Sequence, residues 1–281
     1  MRILTNDQEI GENVEISDDA EIICDSLKIG TGTVIKGNTR IMCKSCEIGS
    51  NNFINGVWIE GSLNAGKTLF KMGDENLILQ NSRLNCNDNL QIGNDVNIGQ
   101  NVEIWTHASS MNVLKGYPFT KLPVKIGSHV WITSGSTVLP GVNIGSNIII
   151  GNNSTVNRNL PSCCFAAGSP VKIIKEKIYP KNLSLEKKKN ILIDIINDYK
   201  SLLELKQFNA NIRLNENLKI EFIHNKDKTF FDCINSKISG KQTKYSEDFR
   251  DFLRYRGVKF FTDKPFKSIR PNWFSKLIQD K

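Results

Sequence analysis

Aliphatic residues return at every sixth position through the middle of the chain. The series consists of Ile92, Ile98, Ile104, Ile126, Ile132, Val138, Ile144, Ile150 and Val156. A helix repeats about every 3.6 residues and an amphipathic strand about every 2, so neither alone produces this spacing. A solenoid does, when each hexapeptide forms one short strand and one turn and three hexapeptides complete a triangular coil. The pattern therefore predicts a parallel β-helix with its aliphatic residues inside.

The same rhythm is present from the N-terminus. Ile10, Ile16 and Ile22 are six residues apart, and the next triplet begins seven residues later at Ile29, which gives a coil of 19 residues. Residues 1–60 are therefore expected to belong to the same prism. The six-residue period becomes irregular over residues 60–91, where we expect coils with distorted corners. A short inserted subdomain is the alternative.

One interruption divides the regular part of the repeat. The pattern stops for residues 109–124 and resumes in phase at Ile126, which indicates a loop inserted at a corner. Such a loop costs little closure entropy, and a rigid scaffold can use it to carry function. His107 lies just before the loop and Trp131 shortly after it.

The repeat ends near Pro161, and a different kind of sequence follows. Ser184 to Gln207 has a capped start and aliphatic residues at helical spacing, which predicts an amphipathic helix. Residues 218–240 alternate well enough for two strands, and Ser246 to Arg256 is typical of a short helix. We therefore expect a β-helix domain over residues 1–175 and a C-terminal basic helix with a small α+β extension over residues 176–281.

Charge is distributed unevenly along the chain. The formal net charge is +8, yet from Glu176 onward there are 23 Lys and Arg against 14 Asp and Glu, so the β-helix is close to neutral. A basic region attracts anions such as a phosphorylated or sialylated glycan or a membrane surface; a solvated lysine-rich surface is the alternative. We expect a carbohydrate partner and no nucleic acid.

The sequence also bears on compartment and metals. It has no apolar run of the ~20 residues that a membrane span needs, and its start lacks the features of a signal peptide, so we expect a cytoplasmic protein. The seven cysteines are irregularly spaced, and no second pair accompanies Cys43 and Cys46. We therefore expect reduced thiols and no metal site.

Two segments of the repeat carry a family resemblance. W-I-T-S-G-S-T-V-L-P-G-V-N-I-G, which begins at Trp131, and A-A-G-S-P-V-K-I-I-K, which ends at Lys175, resemble the hexapeptide-repeat acyltransferases with a left-handed β-helix. The branch is that of the galactoside, maltose and capsule-polysaccharide (polysialic acid) O-acetyltransferases. The likeness covers residues 90–175 well, the earlier part only as repeats, and the last hundred residues not at all. It implies left-handed coils, a homotrimer and acetyl-CoA as the acyl donor.

The chemistry of ester formation gives a role to a histidine. A sugar hydroxyl needs a base as it attacks a thioester, and an imidazole with an ordinary pKa of ~6.5 suits that task. By resemblance, His107 is the general base and Trp131 helps to place thioester and acceptor. His129 is the rival, for which we favour a surface role. Trp105 is assigned to the acceptor groove, with packing against the loop as the alternative, and the family's acceptor-binding asparagine aligns near Asn81.

The resemblance also implies a coenzyme A site. The pantetheine contacts fall on Ser134, Asn152 and Asn157, although the family more often has Ala and Thr at the last two positions. The phosphate contacts fall on three cations, which are Arg158, Lys172 and Lys175.

The predicted function is acetyl-CoA-dependent O-acetylation of a sugar hydroxyl on a bacterial surface glycan, in capsule, lipooligosaccharide or sialic acid. One alternative is an N-acetyltransferase of amino-sugar nucleotides, although no G-x-G-x-x-G motif follows a strand here. Another is a non-catalytic glycan-binding prism. Metal-dependent hydration needs three converging histidines, and the chain has three in all, one of them in the C-terminal part.

Overall fold

Three parallel sheets form the walls of a triangular prism. The computed structural model describes residues 1–64, 66, 68–262 and 268–269, and the chain divides into two units, residues 1–181 and residues 182 onward. The first sheet contains β1 (Arg2–Leu4), β4 (Glu21–Ile23), β7 (Arg40–Met42), β10 (Trp58–Glu60), β13 (Arg83–Asn85), β16 (Glu103–Ile104), β21 (Thr137–Val138) and β24 (Thr155–Val156).

Successive coils add one strand to each wall in turn. The second sheet contains β2 (Asp7–Ile10), β5 (Ser26–Ile29), β8 (Ser45–Ile48), β11 (Leu69–Met72), β14 (Leu90–Ile92), β19 (Val124–Ile126) and β22 (Asn143–Ile144). The third contains β3 (Glu15–Ile16), β6 (Val34–Lys36), β9 (Phe53–Asn55), β12 (Leu77–Ile78), β15 (Asn97–Ile98), β20 (Val130–Ile132), β23 (Ile148–Ile150), β25 (Phe165–Ala167) and β26 (Lys172–Lys175). β26 runs antiparallel to β25 and closes this wall.

The period-six aliphatic residues fill the prism. Ile22 pairs with Ile41 in the next coil, 19 residues on, and Ile41 pairs with Ile59; all three are buried. Their side chains alternate with outward-facing ones because successive residues of a strand point to opposite faces. The predicted fold class, a mainly β parallel β-helix followed by a helix and a small α+β extension, is confirmed.

Asparagine and glycine form the corners. Asn51, Asp95, Asn101 and Asn147 have φ between 51° and 59°, in the left-handed region that Asn and Asp tolerate better than most residues. At Gly135, with φ 74°, a Cβ would also collide with the side chain of Asn153 one coil away. The Asn and Gly residues of the repeat therefore allow the positive-φ backbone conformation that the corners require.

Residues 60–91 continue the prism, so the alternative of an inserted subdomain is wrong. Phe70 of β11 pairs with Leu90 of β14, and Leu77 of β12 pairs with Asn97 of β15. The rhythm blurs because the corner between β10 and β11 is longer than its equivalents in other coils. The extra residues lengthen one corner and leave the pairing of the strands intact.

The interruption is a hairpin-like loop. β17 (His107–Ala108) pairs antiparallel with β18 (Thr120–Lys121), and between them a single turn of 3-10 helix, η1 (Val113–Lys115), ends at Gly116 with φ 82°. The loop exposes several large apolar side chains, of which Leu114 is the most exposed at 93%. The antiparallel pairing begins at His107, two residues before the interruption predicted over residues 109–124, and the prism resumes in register with Ile92 paired to Ile126.

The second unit is a four-stranded antiparallel sheet with two helices. These elements are α1 (Leu185–Leu202), β27 (Asn211–Leu214), β28 (Lys219–His224), β29 (Asp227–Asp232), β30 (Lys237–Gly240) and α2 (Lys244–Tyr255). Ser184 caps α1 by accepting a hydrogen bond from the backbone N–H of Lys187.

Two strands of this sheet were not predicted from the sequence. Residues 218–240 hold three strands where two were predicted, and β27 was not predicted because four residues between turns carry little periodicity. α1 also ends five residues earlier than predicted. No helix within the described residues is long and apolar enough to cross a membrane.

Candidate active site

His107 lies at a corner of the prism, at the first position of the inserted loop. It follows β16 of the first sheet by three residues, and its side chain is half-buried. Its ring contacts two asparagines from the preceding coil, Asn85 and Asn87. The register of the first sheet brings these two asparagines close to His107, because β13, which ends at Asn85, pairs with β16.

The amide of Asn85 has a defined orientation. Its Nδ2 donates to the carbonyl oxygen of Glu60 at 3.3 Å, and its Oδ1 accepts from the hydroxyl of Thr106 at 2.7 Å and from the backbone N–H of Asn87 at 3.3 Å. A flipped amide would lose these contacts, so the oxygen is the atom that faces His107.

This orientation selects one tautomer of His107. Nδ1 of the ring lies 3.2 Å from Oδ1 of Asn85, and an oxygen that only accepts requires Nδ1 to carry the proton. Nε2 then holds a lone pair and can act as a base. Asn87 favours the opposite tautomer, because its Oδ1 accepts from the backbone N–H of Ser62 at 2.7 Å, and its Nδ2 then faces the ring, 3.1 Å from Nδ1 and 3.5 Å from Nε2. We assign the Nδ1–H tautomer because Asn85 is fixed by more bonds, leaving Asn87 only the long contact to Nε2.

Neither asparagine was identified from the sequence. Asn81, the predicted acceptor-binding asparagine, lies at an exposed corner with φ 62°, and its role stays a prediction. Asn85 could have been identified from the coil-to-coil pairing of its strand, in which it lies opposite Glu60 of the preceding coil.

Trp105 lies beside His107. The two ring centroids are 6.4 Å apart, and the indole N–H of Trp105 donates to the carboxylate of Glu103 at 3.2 Å. This bond fixes the indole on the outer face of the first sheet. Trp105 therefore does line a surface pocket next to His107, together with Trp58, Glu60, Arg83, Leu84 and Asn85.

Trp131 lies on a different wall. It is in β20 of the third sheet, is 50% exposed, and borders an open groove of about 470 Å³. In that groove Nδ1 of His129 lies 3.1 Å from Oδ2 of Asp95. A single chain thus places His107 and Trp131 on separate faces of the prism.

The residues predicted to contact coenzyme A lie on late coils. Ser134 and Asn152 occupy the corner after the third sheet in consecutive coils, which are linked by a hydrogen bond from the backbone N–H of Asn153 to the carbonyl of Ser134. Asn157 and Arg158 follow β24 at the next corner. All are exposed, as are Lys172 and Lys175 of β26.

Trp131 starts a line of outward side chains on the third sheet. It pairs with Ile149, Ile149 pairs with Phe165, and Phe165 pairs with Lys175. Strands are about 4.8 Å apart, so the line from Trp131 to Lys175 is about 14 Å long. It is apolar for most of its length and ends at a cation.

Cys86 is not suited to act as a nucleophile near His107. Cys86, between the two asparagines, is buried, and its hydrogen bond with Cys43 together with burial raises its pKa far above the usual range. A neutral buried thiol is a poor nucleophile. Burial likewise raises the pKa of Cys24 to about 11. In the part of the chain that the structure describes, no cluster of His, Cys, Asp or Glu could hold a metal ion.

Residues 123–158 match the family described as bacterial transferase hexapeptide (six repeats). The matched hexapeptides include Trp131, Ser134, Asn152 and Arg158, whereas His107 lies before them. The resemblance seen in the sequence is thereby confirmed.

Named relatives match a part of the chain. The chain is 37% identical over 87 residues to the galactoside O-acetyltransferase of Escherichia coli, which is 30% of this chain and 43% of that protein. It is 41% identical over 90 residues to the galactoside O-acetyltransferase of Lactococcus lactis, which is 31% of this chain and 42% of that protein. The chain thus spans less than half the length of these relatives.

A solved structure with the same fold is the polysialic acid O-acetyltransferase OatWY. The TM-score is 0.51 at 21% identity, and the match covers 63% of this chain and 92% of that one. At 21% identity, this similarity shows a shared hexapeptide-repeat fold and no more.

Proposed function

We propose that this chain is an acetyl-CoA-dependent O-acetyltransferase that transfers acetyl to a sugar hydroxyl, with His107 as the general base. The observation that carries the proposal is the contact between Nδ1 of His107 and Oδ1 of Asn85. In the Nδ1–H tautomer that this contact favours, Nε2 is unprotonated, and the ring lies beside the surface pocket that Asn85 and Trp105 line. The names of the relatives support acetyl transfer as the reaction class.

The mechanism follows from this tautomer. The acceptor hydroxyl donates a hydrogen bond to Nε2, replacing the long contact with Asn87, and attacks the thioester carbonyl as its proton moves to Nε2. The imidazolium keeps its Nδ1–H bond to Asn85. When the tetrahedral adduct collapses, the C–S bond breaks and the proton on Nε2 passes to the leaving thiolate. The products are the sugar ester and free coenzyme A, and His107 returns to its starting state.

The line from Trp131 to Lys175 supports a site for acetyl-CoA along the third sheet. A pantetheine arm needs a long apolar surface flanked by small polar groups, and its phosphates need cations at the far end. Ile149 and Phe165 supply the apolar surface, Ser134 and Asn152 lie at the adjoining corner, and Lys172 and Lys175 lie on the last strand. The residues present therefore fit this co-substrate.

Three cations on the late coils are expected to set acetyl-CoA affinity, two of them on the last strand of the third sheet and Arg158 at the corner after β24. We expect Lys172→Ala, Lys175→Ala and Arg158→Ala each to raise the Kd for acetyl-CoA by about fivefold, the effect of losing one solvent-exposed ion pair with phosphate. The effect should shrink at high salt. Titration calorimetry measures it, with Lys28→Ala on the second sheet as the matched control. An unchanged Kd in the triple variant would place the phosphates elsewhere.

A homotrimer would bring the two halves of this site together. His107 lies at a corner and Trp131 on the third sheet, so a cleft with both residues requires His107 of one subunit to face Trp131 of a neighbour. The exposed apolar side chains of the inserted loop, Leu114 above all, support burial against a second copy. A molar mass of three chains by light scattering is expected, and a monomer with full activity would contradict it.

The acceptor that we propose is a bacterial surface glycan, modified in the cytoplasm before export. Support for a carbohydrate comes from the names of the relatives and from the pocket beside His107. The positive charge of residues 176–281 supports an anionic partner, either a sialylated glycan or a membrane surface. N-acetylation of an amino-sugar nucleotide remains the alternative reaction, and the acceptor atom distinguishes the two.

A further inference from the structure

We propose that Trp58, Glu60, Arg83 and Trp105 form an acceptor subsite that binds a neutral pyranose ring. This inference rests on the proposed function, because it places the sugar whose hydroxyl reacts at Nε2 of His107. Asn85 lines the same pocket and also orients His107, so the subsite and the proposed base share a side chain.

The register of the first sheet builds this subsite. Trp58 pairs with Arg83 and Arg83 with Glu103 in successive coils, while Glu60 pairs with Asn85. Residues two apart on a strand point to the same face, so these side chains all face outward in two adjacent rows. Between the rows, Ile59, Leu84 and Ile104 point into the prism and are buried.

The two indoles provide apolar surface for a pyranose, with one face of Trp58 covered by the guanidinium of Arg83. Trp58 is 42% exposed and Trp105 is half-buried. Glu103 holds Trp105 through its indole N–H, and the guanidinium of Arg83 lies over the Trp58 ring, 5.0 Å from its centroid. An indole held in this way gives apolar contact area at little cost in conformational entropy.

The polar groups suit hydroxyls. Arg83 makes no ion pair within the described residues, so its guanidinium donors are available above the pocket. The carboxylate of Glu60, which lines the same pocket, offers acceptors. The pocket has room of about 80 Å³, which receives one edge of a monosaccharide and leaves the rest of a glycan outside.

The charges favour a neutral sugar over a sialylated one. Arg83 is accompanied by two carboxylates, Glu60 inside the pocket and Glu103 next to it in register. A carboxylate-bearing sugar would add a third negative charge to this face, and like charges brought together in an interface are unfavourable. The basic residues that suggested an anionic acceptor lie mostly in the second unit, not in this pocket.

The subsite is tested by sugar binding and by kinetics on the whole protein. Wild type is titrated with a neutral methyl pyranoside and with a sialylated glycoside while its tryptophan fluorescence is followed, and acceptor kinetics are measured with both sugars. We expect kcat/KM at least about tenfold higher for the neutral sugar, from one unfavourable charge contact. Glu60→Gln, which removes one of the two carboxylates, is expected to lower the ratio of kcat/KM for the neutral sugar to kcat/KM for the sialylated one.

Variants of the pocket separate this inference from the proposed function. Trp58→Ala and Arg83→Met should each raise the acceptor KM by roughly tenfold and weaken the fluorescence response, as expected when a principal contact is removed, with the Kd for acetyl-CoA unchanged. Lys71→Met, which removes an exposed cation from the second sheet, should change neither. Both pocket residues are exposed, so thermal unfolding should match wild type.

Failure has two distinguishable forms. An active enzyme whose acceptor KM and fluorescence response do not change in either pocket variant, or one that prefers the sialylated sugar, overturns the subsite. A protein that binds the neutral sugar through Trp58 but neither binds acetyl-CoA nor transfers acetyl supports the subsite and overturns the proposed function.

Discussion

Replacing His107 with alanine is expected to lower kcat for acetyl transfer by about 10²- to 10⁴-fold, the usual contribution of a general base. The Kd for acetyl-CoA should stay within about twofold of wild type, because the proposed acyl-donor site lies along the third sheet and His107 lies at the start of the inserted loop. Steady-state kinetics with a saturating acceptor, together with calorimetry, measures both quantities. His107 makes its side-chain hydrogen bonds at the surface of the coil, so we expect the variant to fold.

The matched control is His129→Asn. His129 is exposed, pairs with Asp95 and has φ 57°, a conformation that asparagine adopts readily. We expect kcat to change by less than about twofold, since surface substitutions have small effects. Full activity in His107→Ala with a large loss in His129→Asn would indicate that His129, in the groove that Trp131 borders, is the general base.

Asn85→Ala is expected to lower kcat by about 10- to 100-fold, the range seen when a residue that orients a metal-binding histidine is removed, because Asn85 orients His107 in the same way. Without Oδ1 of Asn85, Nδ1 of His107 faces only the amide donor of Asn87. The ring is then expected to place its proton on Nε2, which cannot accept the acceptor's proton. The Kd for acetyl-CoA should not change.

Two further variants show whether Asn85 acts through the tautomer. Asn85→Asp keeps an acceptor for Nδ1–H and should retain more activity than Asn85→Ala. Asn87→Ala removes the opposing donor and should cost less than Asn85→Ala. Nitrogen NMR reports the tautomer directly, and the chain has only three histidines to assign. A larger loss in Asn87→Ala, with the ring protonated at Nε2 in wild type, contradicts this assignment.

The prism could be predicted from sequence because one physical constraint recurs in every coil. An aliphatic residue must point inward once per wall, and a residue that tolerates positive φ must turn the corner, so Ile92, Ile98 and Asn101 report the fold locally. The sheet of the second unit lacks this redundancy. β27 has four residues and one buried side chain, Ile212, too little for a period to be measured.

The candidate site was harder to predict because it depends on register between coils. His107 follows from its place at the start of the loop, but Asn85 is 22 residues earlier and comes next to it through the pairing of β13 with β16. The long segment between β10 and β11 interrupts the six-residue period, so a count along the sequence does not give the register between the coils before and after it. Trp58 and Arg83 come together for the same reason, across a coil of 25 residues.

Transfer of labelled acetyl from acetyl-CoA to matched hydroxyl and amine acceptors tests the central claim most directly. With methyl glycosides and their amino-sugar counterparts, the account predicts an ester product that is cleaved by mild alkali, formed by wild type and nearly absent with His107→Ala. An alkali-stable amide as the main product, or no labelled sugar from any acceptor despite tight binding of acetyl-CoA, would contradict it.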